Sequence, residues 1–236
     1  MSNYSVGVQE AILRAFKQIV YPRRGIQLTG LVLCVLLMVI NFSWWYLLII
    51  PAGLLLAEFY SMQAKAKWRV WAYENVADIG QLQRSAELAE LLMYQSYNKP
   101  SDFAGKELNE KLKQLQTRFD TDIGFVDDSS ISPKTTIYAK FSAQPIMVFS
   151  SEGIKYKNEG LFEWDKILNA RVAHITYSRM SGRTGTDVDA GSKDFFRFEY
   201  GQQRYEMPLS SLKISDWKLD LLMYIYRGRF SLVNSY

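Results

Sequence analysis

Any chemistry in this chain would have to be built around very few reactive side chains. His174 is the only histidine and Cys34 the only cysteine among 236 residues. A metal site made from two histidines is therefore excluded, and a Ser-His-Asp or Cys-His constellation could use only that one imidazole. His174 falls inside a predicted strand, where a histidine is usually structural or merely exposed. We predict a protein that is not an enzyme, with no catalytic residue, no metal site and no cofactor.

Two polar segments contain residue types used in binding sites, but neither has a complete pattern. The glycine-rich run 181–187 lacks the Gly-Lys-Ser ending and the helix of a phosphate-binding loop. Asp122, Asp127 and Asp128 lack the oxygen-ligand spacing of a calcium loop, so we interpret them as a solvated connection. Residues 181–193 join two predicted strands where two to five residues would serve, and this loop is either a binding element or disordered.

The elements around these residues are dominated by an apolar run, residues 25–57, that contains no charged side chain. One membrane span needs about 20 residues, so this run is long for one span and sufficient for two short ones. Asn41 and Ser43 provide turn-forming residues at its centre. We predict a transmembrane hairpin with helices over residues 26–40 and 44–60 and a kink at Pro51. One long tilted helix is the alternative.

The residues that flank each helix predict how the hairpin sits in the membrane. Aromatic side chains typical of a membrane interface follow the turn, and basic side chains, which are retained on the cytoplasmic side, lie beyond both ends. The predicted anchor residues are Trp44, Trp45, Tyr46, Arg23, Arg24, Lys65 and Lys67. We therefore expect a multi-pass protein of the bacterial inner (cytoplasmic) membrane with both termini in the cytoplasm. The net charge is only +4, which does not indicate nucleic-acid binding.

Helical periodicity continues on both sides of the hairpin. Residues 1–24 form a predicted amphipathic helix that ends at Pro22 and lies either at the membrane interface or against the cytoplasmic part. Residues 61–120 form a predicted cytoplasmic helical segment. Its apolar face packs within the chain or pairs with a second copy as a coiled coil, and the irregular heptads favour packing within the chain.

From residue 121 the pattern alternates, which predicts about seven short strands followed by one amphipathic helix that ends the domain 121–236. Together with the hairpin of residues 25–60, this makes the predicted fold an α+β membrane protein. Glycine-containing turns at residues 150–153, 158–160 and 201–203 separate neighbouring strands. We expect Phe196, Phe198 and Tyr200 to face the core of the sheet that contains them, and Arg197 and Glu199 to face water.

This strand order, with Glu152-Gly153-Ile154-Lys155-Tyr156 and Phe162-Glu163-Trp164-Asp165-Lys166-Ile167, resembles the bacterial pleckstrin-homology-like (PH- and GRAM-like) domains over residues 130–230. The resemblance implies a small, bent antiparallel barrel plugged at one end by the last helix. It implies no chemistry, but binding of proteins, peptides or lipid headgroups. Basic residues of the first hairpin bind lipid in such relatives. The corresponding binding residues here are Lys134, Lys140, Lys155 and Lys157, and we add Arg183 from the long loop.

Two functions are consistent with this organisation. The first is a non-catalytic, membrane-anchored interaction or scaffold protein that presents its C-terminal domain to a protein or lipid partner. The second is an accessory or regulatory subunit of a membrane transport, secretion or defence complex. In that case the hairpin would pack against partner helices through its small residues Gly30, Ala52 and Gly53. The expected partners are the lipid bilayer and either another protein or a second copy of the chain.

Overall fold

The computed structural model describes residues 6–40, 43–92, 105–116, 118, 124–157, 159–180 and 187–234. The chain is an α+β protein with two compact units, Met1–Gly124 and Phe125–Tyr236. The described part of the first unit is helical, whereas all the described strands of the sheets lie in the second.

The first unit begins with one continuous helical run. It consists of α1 (Val8–Ala15), a π-helical turn (Phe16–Val20) and α2 (Tyr21–Ile40). The break predicted at Pro22 is therefore wrong. A proline ring collides with the carbonyl four residues earlier, here that of Gln18, and a π-helical turn relieves such a conflict. The Gln18 carbonyl instead accepts a hydrogen bond from the Tyr60 hydroxyl at 3.0 Å.

The second long helix starts with a 3-10 turn (Trp44–Leu48) and continues as α3 (Ile49–Asn75). Pro51 lies in the first turn of α3, within one helical run that extends from Trp44 to Asn75. The kink expected at Pro51 stays a prediction. The turn between the two long helices includes Asn41 and Phe42, which lie outside the described residues.

Two shorter helices complete the first unit. Val76 is extended and ends α3, and the Arg118 guanidinium donates to the carbonyls of Tyr73 and Val76 at that end. The helix α4 (Ile79–Leu88) begins at Asp78, whose carboxylate accepts the Gln81 N–H at 2.8 Å. Such capping satisfies backbone groups that have no partner inside the helix. The last helix of the unit is α5 (Lys106–Gln116).

The apolar face of α1 is covered by the other helices of this unit. Ile12 and Ala15 are fully buried, as are Leu82 of α4 and Trp68 of α3. The Trp68 indole donates to the Ala11 carbonyl at 3.0 Å and so ties α3 to α1. The amphipathic helix therefore packs on the helical segment, which is one of the two positions expected for it. The buried face of α3 and α4 is likewise covered within the chain.

The described part of the second unit contains seven strands in two antiparallel sheets. The order of the first sheet is β1-β2-β3-β4 and that of the second is β5-β6-β7. The strands are β1 (Lys134–Tyr138), β2 (Pro145–Ser150), β3 (Gly153–Tyr156), β4 (Gly160–Glu163), β5 (Ile167–Met180), β6 (Asp187–Tyr200) and β7 (Gln203–Pro208). A short 3-10 turn and α6 (Asp216–Asn234) follow.

The sheets do not close into the expected barrel. The turn after β4, in which the Lys166 N–H donates to the Glu163 carbonyl at 3.1 Å, takes the chain from the first sheet to the second. On the other side, the two sheets are joined after β7 by one bridge between Ala139 and Leu212. One bridge cannot replace the continuous ladder that closes a barrel.

The two sheets and α6 share one aromatic core. Phe149 of β2 lies 6.1 Å, between ring centroids, from Phe196 of β6 and equally far from Tyr226 of α6. Phe149, Phe196, Phe198 and Tyr226 are all fully buried. The inward orientation expected for Phe196 and Phe198 is confirmed, whereas Tyr200 is only half-buried. Phe149 connects all three layers.

The long polar loop expected over residues 181–193 is largely absent, because β5 and β6 pair as far as Met180 and Asp187. Strand pairing satisfies backbone N–H and C=O groups whatever the polarity of the side chains, so a polar stretch can extend a hairpin. Residues 181–186 lie outside the described residues, and with them Arg183.

Candidate functional site

The two long apolar helices come close together at two glycines. A side-chain carbon added to Gly30 would lie 3.6 Å from the Gly53 Cα and 3.8 Å from the Ile49 carbonyl oxygen. Such backbone-to-backbone approach is typical of small residues at helix contacts in membranes. Gly30 and Gly53, which we expected to face partner helices, thus contact each other, whereas Ala52 is exposed.

The outer surfaces of these helices are apolar and uncovered. Val8–Ile40 and Trp44–Asn75 are long and apolar enough to cross a membrane, with only 6% and 17% of their most apolar windows buried. The exposed large side chains of the first span include Leu28, Leu31, Val32, Leu33, Val35, Leu36, Val39 and Ile40, and those of the second include Leu54, Leu55, Leu56 and Phe59. A core helix of a soluble protein would bury such side chains, so the two helices are compatible with transmembrane segments.

The predicted anchor residues lie at both ends of these helices. Trp44 and Trp45 are highly exposed, and Tyr46 beside them is half-buried. At the opposite end, Arg23 of α2 forms an ion pair with Glu58 of α3. The other predicted anchor residues of this end are the exposed Arg24, the half-buried Lys65 and the exposed Lys67.

The lysines expected to bind a ligand do not form one cluster. Lys134 pairs with Ser150, and Lys155 pairs with Val148. Ser150 and Val148 lie on the side of β2 opposite to the buried Phe149, so both lysines lie on the outward face of the first sheet. They are two strands apart, about 10 Å, and offset along the strands. Lys157 follows β3 with its ammonium 5.0 Å from the Tyr156 ring centroid, and the backbone of Lys140 pairs with that of Ser211. This arrangement offers separate charges rather than a phosphate cradle.

His174 lies on an exposed part of the second sheet. Its Nδ1 is 2.6 Å from the Asp194 carboxylate on the neighbouring strand. Among the described side chains, none with a hydroxyl or thiol hydrogen-bonds to the other ring nitrogen. No group of three or more histidine, cysteine or acidic residues in the described part of the chain could hold a metal ion.

The sequence analysis missed a cleft in the second unit. It has a volume of about 450 Å³ and lies between the β3–β4 region and the end of α6. We call it the acidic cleft; its lining includes Glu152, Glu163, Asp165, Leu161, Phe230 and Val233. The only hint in the sequence is the three acids, which the pairing of Gly153 with Glu163 brings to the same end of one hairpin. Val233 is 71% exposed, so an apolar surface borders the carboxylates.

Asp127 and Asp128, before β1, are not the solvated connection that we expected, and Asp122 lies outside the described residues. Asp128 is buried and accepts hydrogen bonds from the Ser130 N–H at 2.9 Å and hydroxyl at 2.6 Å. Arg229 of α6 pairs with Asp127 at 2.8 Å and donates to the Ile131 carbonyl at 2.8 Å. This turn is therefore held by a residue about a hundred positions later, which local sequence patterns cannot show.

Comparison of the chain with protein-family models, curated proteins and solved structures finds no match. The class that the fold itself defines is an α+β protein with two long apolar helices and two antiparallel sheets.

Proposed function

We propose that this chain is a non-catalytic, membrane-anchored interaction protein. Its paired apolar helices form a transmembrane hairpin in the inner membrane, with both termini in the cytoplasm. The β unit is a PH-like domain that binds a protein partner at the membrane surface.

The observation that carries this proposal is the paired, uncharged and exposed hairpin. The side chains of Leu36, Val39 and Leu55 in the two adjacent helices are more than half exposed. Exposing them to water would be unfavourable in free energy, whereas the interior of a bilayer would remove this penalty. A cleaved signal sequence would not require a second apolar helix in contact at Gly30 and Gly53. The basic residues beyond both ends support cytoplasmic termini.

The acidic cleft supports a protein partner rather than a lipid headgroup for the β unit. Glu163 is paired with Lys166, but the carboxylates of Glu152 and Asp165 would disfavour a phosphate, whereas the apolar wall suits a peptide side chain. The dispersed lysines of the first sheet provide no competing anion site. We therefore assign to this cleft a partner segment with basic and apolar side chains.

The β unit has features that support a PH-like assignment. A four-stranded and a three-stranded antiparallel sheet precede one C-terminal helix, which buries Trp217, Leu221 and Tyr226. The second candidate function, a subunit that assembles through the hairpin, would need a different contact surface, because Gly30 and Gly53 already contact each other.

Cysteine accessibility tests the anchor and its orientation. In a Cys34→Ala background, Ser43→Cys marks the predicted periplasmic turn and Ser142→Cys marks the β unit. A membrane-impermeant maleimide applied to spheroplasts should label only the Ser43→Cys protein, and lysis should expose the Ser142→Cys protein. Extraction of the protein by alkaline carbonate would refute the anchor, and the reverse labelling pattern would refute the orientation.

Binding of a charged peptide tests the acidic cleft. The full-length protein in neutral nanodiscs should bind an alternating lysine–leucine peptide and not a glutamate–leucine peptide. Glu152→Gln with Asp165→Asn should weaken binding several-fold, whereas Glu107→Gln with Glu110→Gln in α5 removes the same charge and should not. Equal effects of the two double substitutions would refute a specific site.

A further inference from the structure

A second cleft, of about 590 Å³, lies in the helical unit between residues 14–22 of the first helical run and the middle of α3. We call it the basal cleft. Its lining includes the cations Arg14, Lys17 and Lys67, together with Gln18, Tyr60 and Trp71. No acidic residue of the described chain lines it, so it is the electrostatic opposite of the acidic cleft.

Neighbouring acids do not neutralise this group of cations. Glu58 forms its ion pair with Arg23, and Glu74 forms one with Lys111 at 2.9 Å. Within the described part of the chain, the ion pairs include none made by Arg14, Lys17 or Lys67. Their positive charges are therefore available to an anion that enters the cleft.

The arginine of the cleft is held in place before any ligand binds. The Arg14 guanidinium carbon lies 3.8 Å from the centroid of the Trp71 ring. A cation–π stack uses the face of the guanidinium, while its N–H groups point outward in the plane and stay available as donors. A prepositioned donor loses less conformational entropy when a ligand binds.

Hydrogen bonds between the two walls keep the cleft open at a set width. The Trp68 indole bonds to the Ala11 carbonyl at 3.0 Å, and the Tyr60 hydroxyl bonds to the Gln18 carbonyl at 3.0 Å. The second bond depends on the π-helical turn that precedes Pro22. The irregular helix and the proline therefore help to shape this site.

The position of the cleft along the helices matches the membrane surface. At about 1.5 Å per helical residue, Tyr60 is about 5 Å beyond the uncharged run that ends at Ala57, and Lys67 is about 15 Å beyond it. The headgroup layer on each side of a bilayer is roughly 5–8 Å thick. The cleft thus begins among the headgroups and extends into the water above them.

We propose that the basal cleft binds the phosphate of an anionic lipid headgroup. This inference rests on the proposed membrane anchor. Guanidinium and ammonium groups form charge-assisted hydrogen bonds with phosphate oxygens, and no carboxylate in the described lining opposes them. The Tyr60 and Trp71 rings suit a site where an apolar layer meets water. The ligand then fills the angle between the first helical run and α3 and fixes how the hairpin leaves the membrane.

Lipid binding to the full-length protein tests the proposal. The protein is reconstituted into nanodiscs of phosphatidylcholine alone or with added phosphatidylglycerol, and retained lipids are counted by native mass spectrometry. We expect preferential retention of phosphatidylglycerol. Lys17→Gln with Lys67→Gln should lower that preference roughly 30-fold, since each basic residue near an anionic membrane contributes about 1 kcal/mol and 1.4 kcal/mol is tenfold.

Matched variants separate the cleft from general charge effects. Lys106→Gln with Lys113→Gln in α5 removes two exposed charges of the same unit and should leave the preference unchanged. Arg14→Lys keeps the charge but loses the planar stack, and should give a smaller loss than the double substitution. An equal loss in the α5 variant, or no loss in the Lys17 and Lys67 variant, would overturn the proposal.

The remaining outcomes separate this inference from the proposed anchor. Failure to enter neutral nanodiscs would refute the anchor, whereas normal entry without any phosphatidylglycerol preference would refute the cleft alone. Millimolar inorganic phosphate should not displace phosphatidylglycerol. Complete displacement would overturn the lipid assignment and indicate a site for free phosphate.

Discussion

Removing one buried oxygen should loosen the β unit by a predictable amount. Tyr226 of α6 is fully buried, and its hydroxyl donates to the Ser132 carbonyl at 2.7 Å and lies 2.8 Å from the Thr135 hydroxyl. Tyr226→Phe keeps the ring that packs against Phe149 and deletes both hydrogen bonds. The substitution therefore measures how strongly α6 is attached to the start of the first sheet.

The size of the destabilisation depends on whether the Ser132 carbonyl and the Thr135 hydroxyl still find hydrogen-bond partners in Tyr226→Phe. A net hydrogen bond contributes about 1 kcal/mol, and a buried group left unpaired costs more. The Ser132 carbonyl still accepts a hydrogen bond from Arg229 at 3.0 Å, and the Thr135 side chain is only half-buried. Neither group is stranded, so we expect a loss of about 1–2 kcal/mol in the free energy of unfolding of this unit.

Hydrogen exchange read by mass spectrometry can localise this loss in the full-length protein in detergent. Peptides that cover β1 and α6 should exchange about 5 to 30 times faster in Tyr226→Phe. Tyr138→Phe is the matched control, because Tyr138 is 42% exposed. Unchanged protection in Tyr226→Phe, or equal acceleration in both variants, would show that these hydrogen bonds do not stabilise the unit.

Three further predictions concern backbone approach and pH. In Gly153→Ala the new methyl would collide with the Phe162 carbonyl and push β3 away from β4. The free energy of unfolding, measured by urea denaturation, should fall by about 1–3 kcal/mol. An unchanged urea midpoint would contradict the pairing register of β3 and β4. Gly30→Ala should leave the melting temperature in detergent unchanged, because the added carbon would lie at an ordinary 3.6 Å from the Gly53 Cα. Gly30→Leu should lower the melting temperature. Equal melting temperatures for the two variants would refute the close contact. Burial raises the pKa of Tyr226 above its usual 10.0, so its unfolded form loses the proton first. This contribution to stability is present below pH 10 and lost as the pH rises further, and urea midpoints should fall less between pH 9 and 11 in Tyr226→Phe than in the unsubstituted protein.

Local patterns predicted the secondary structure of the β unit closely. The turn expected at residues 150–153 joins β2 to β3, and the hairpin expected around residues 158–160 is formed by β3 and β4. These features depend on alternating side chains and on glycine at turns, which act between near neighbours. The same reasoning placed Phe196 and Phe198 in the core.

Two predictions failed because they depended on distant contacts. Pro22 does not end the first helix, because a π-helical turn and Tyr60 accommodate it. Asp128 is buried beside a turn that Arg229 holds. In each case the interacting residue is tens of positions away in the sequence, so the residues next to Pro22 or Asp128 do not indicate the contact.

What the sequence by itself determined is the apolar run 25–57, its basic flanks, and the number and order of the strands, since hydropathy and periodicity are properties of neighbouring residues. The tertiary structure decided that the sheets stay open, that Gly30 faces Gly53, and that Arg14, Lys17 and Lys67 line one cleft. These outcomes depend on which surfaces can be buried together at least cost. The packing of the whole chain determines which surfaces these are, and it brings together the residues of each proposed binding site.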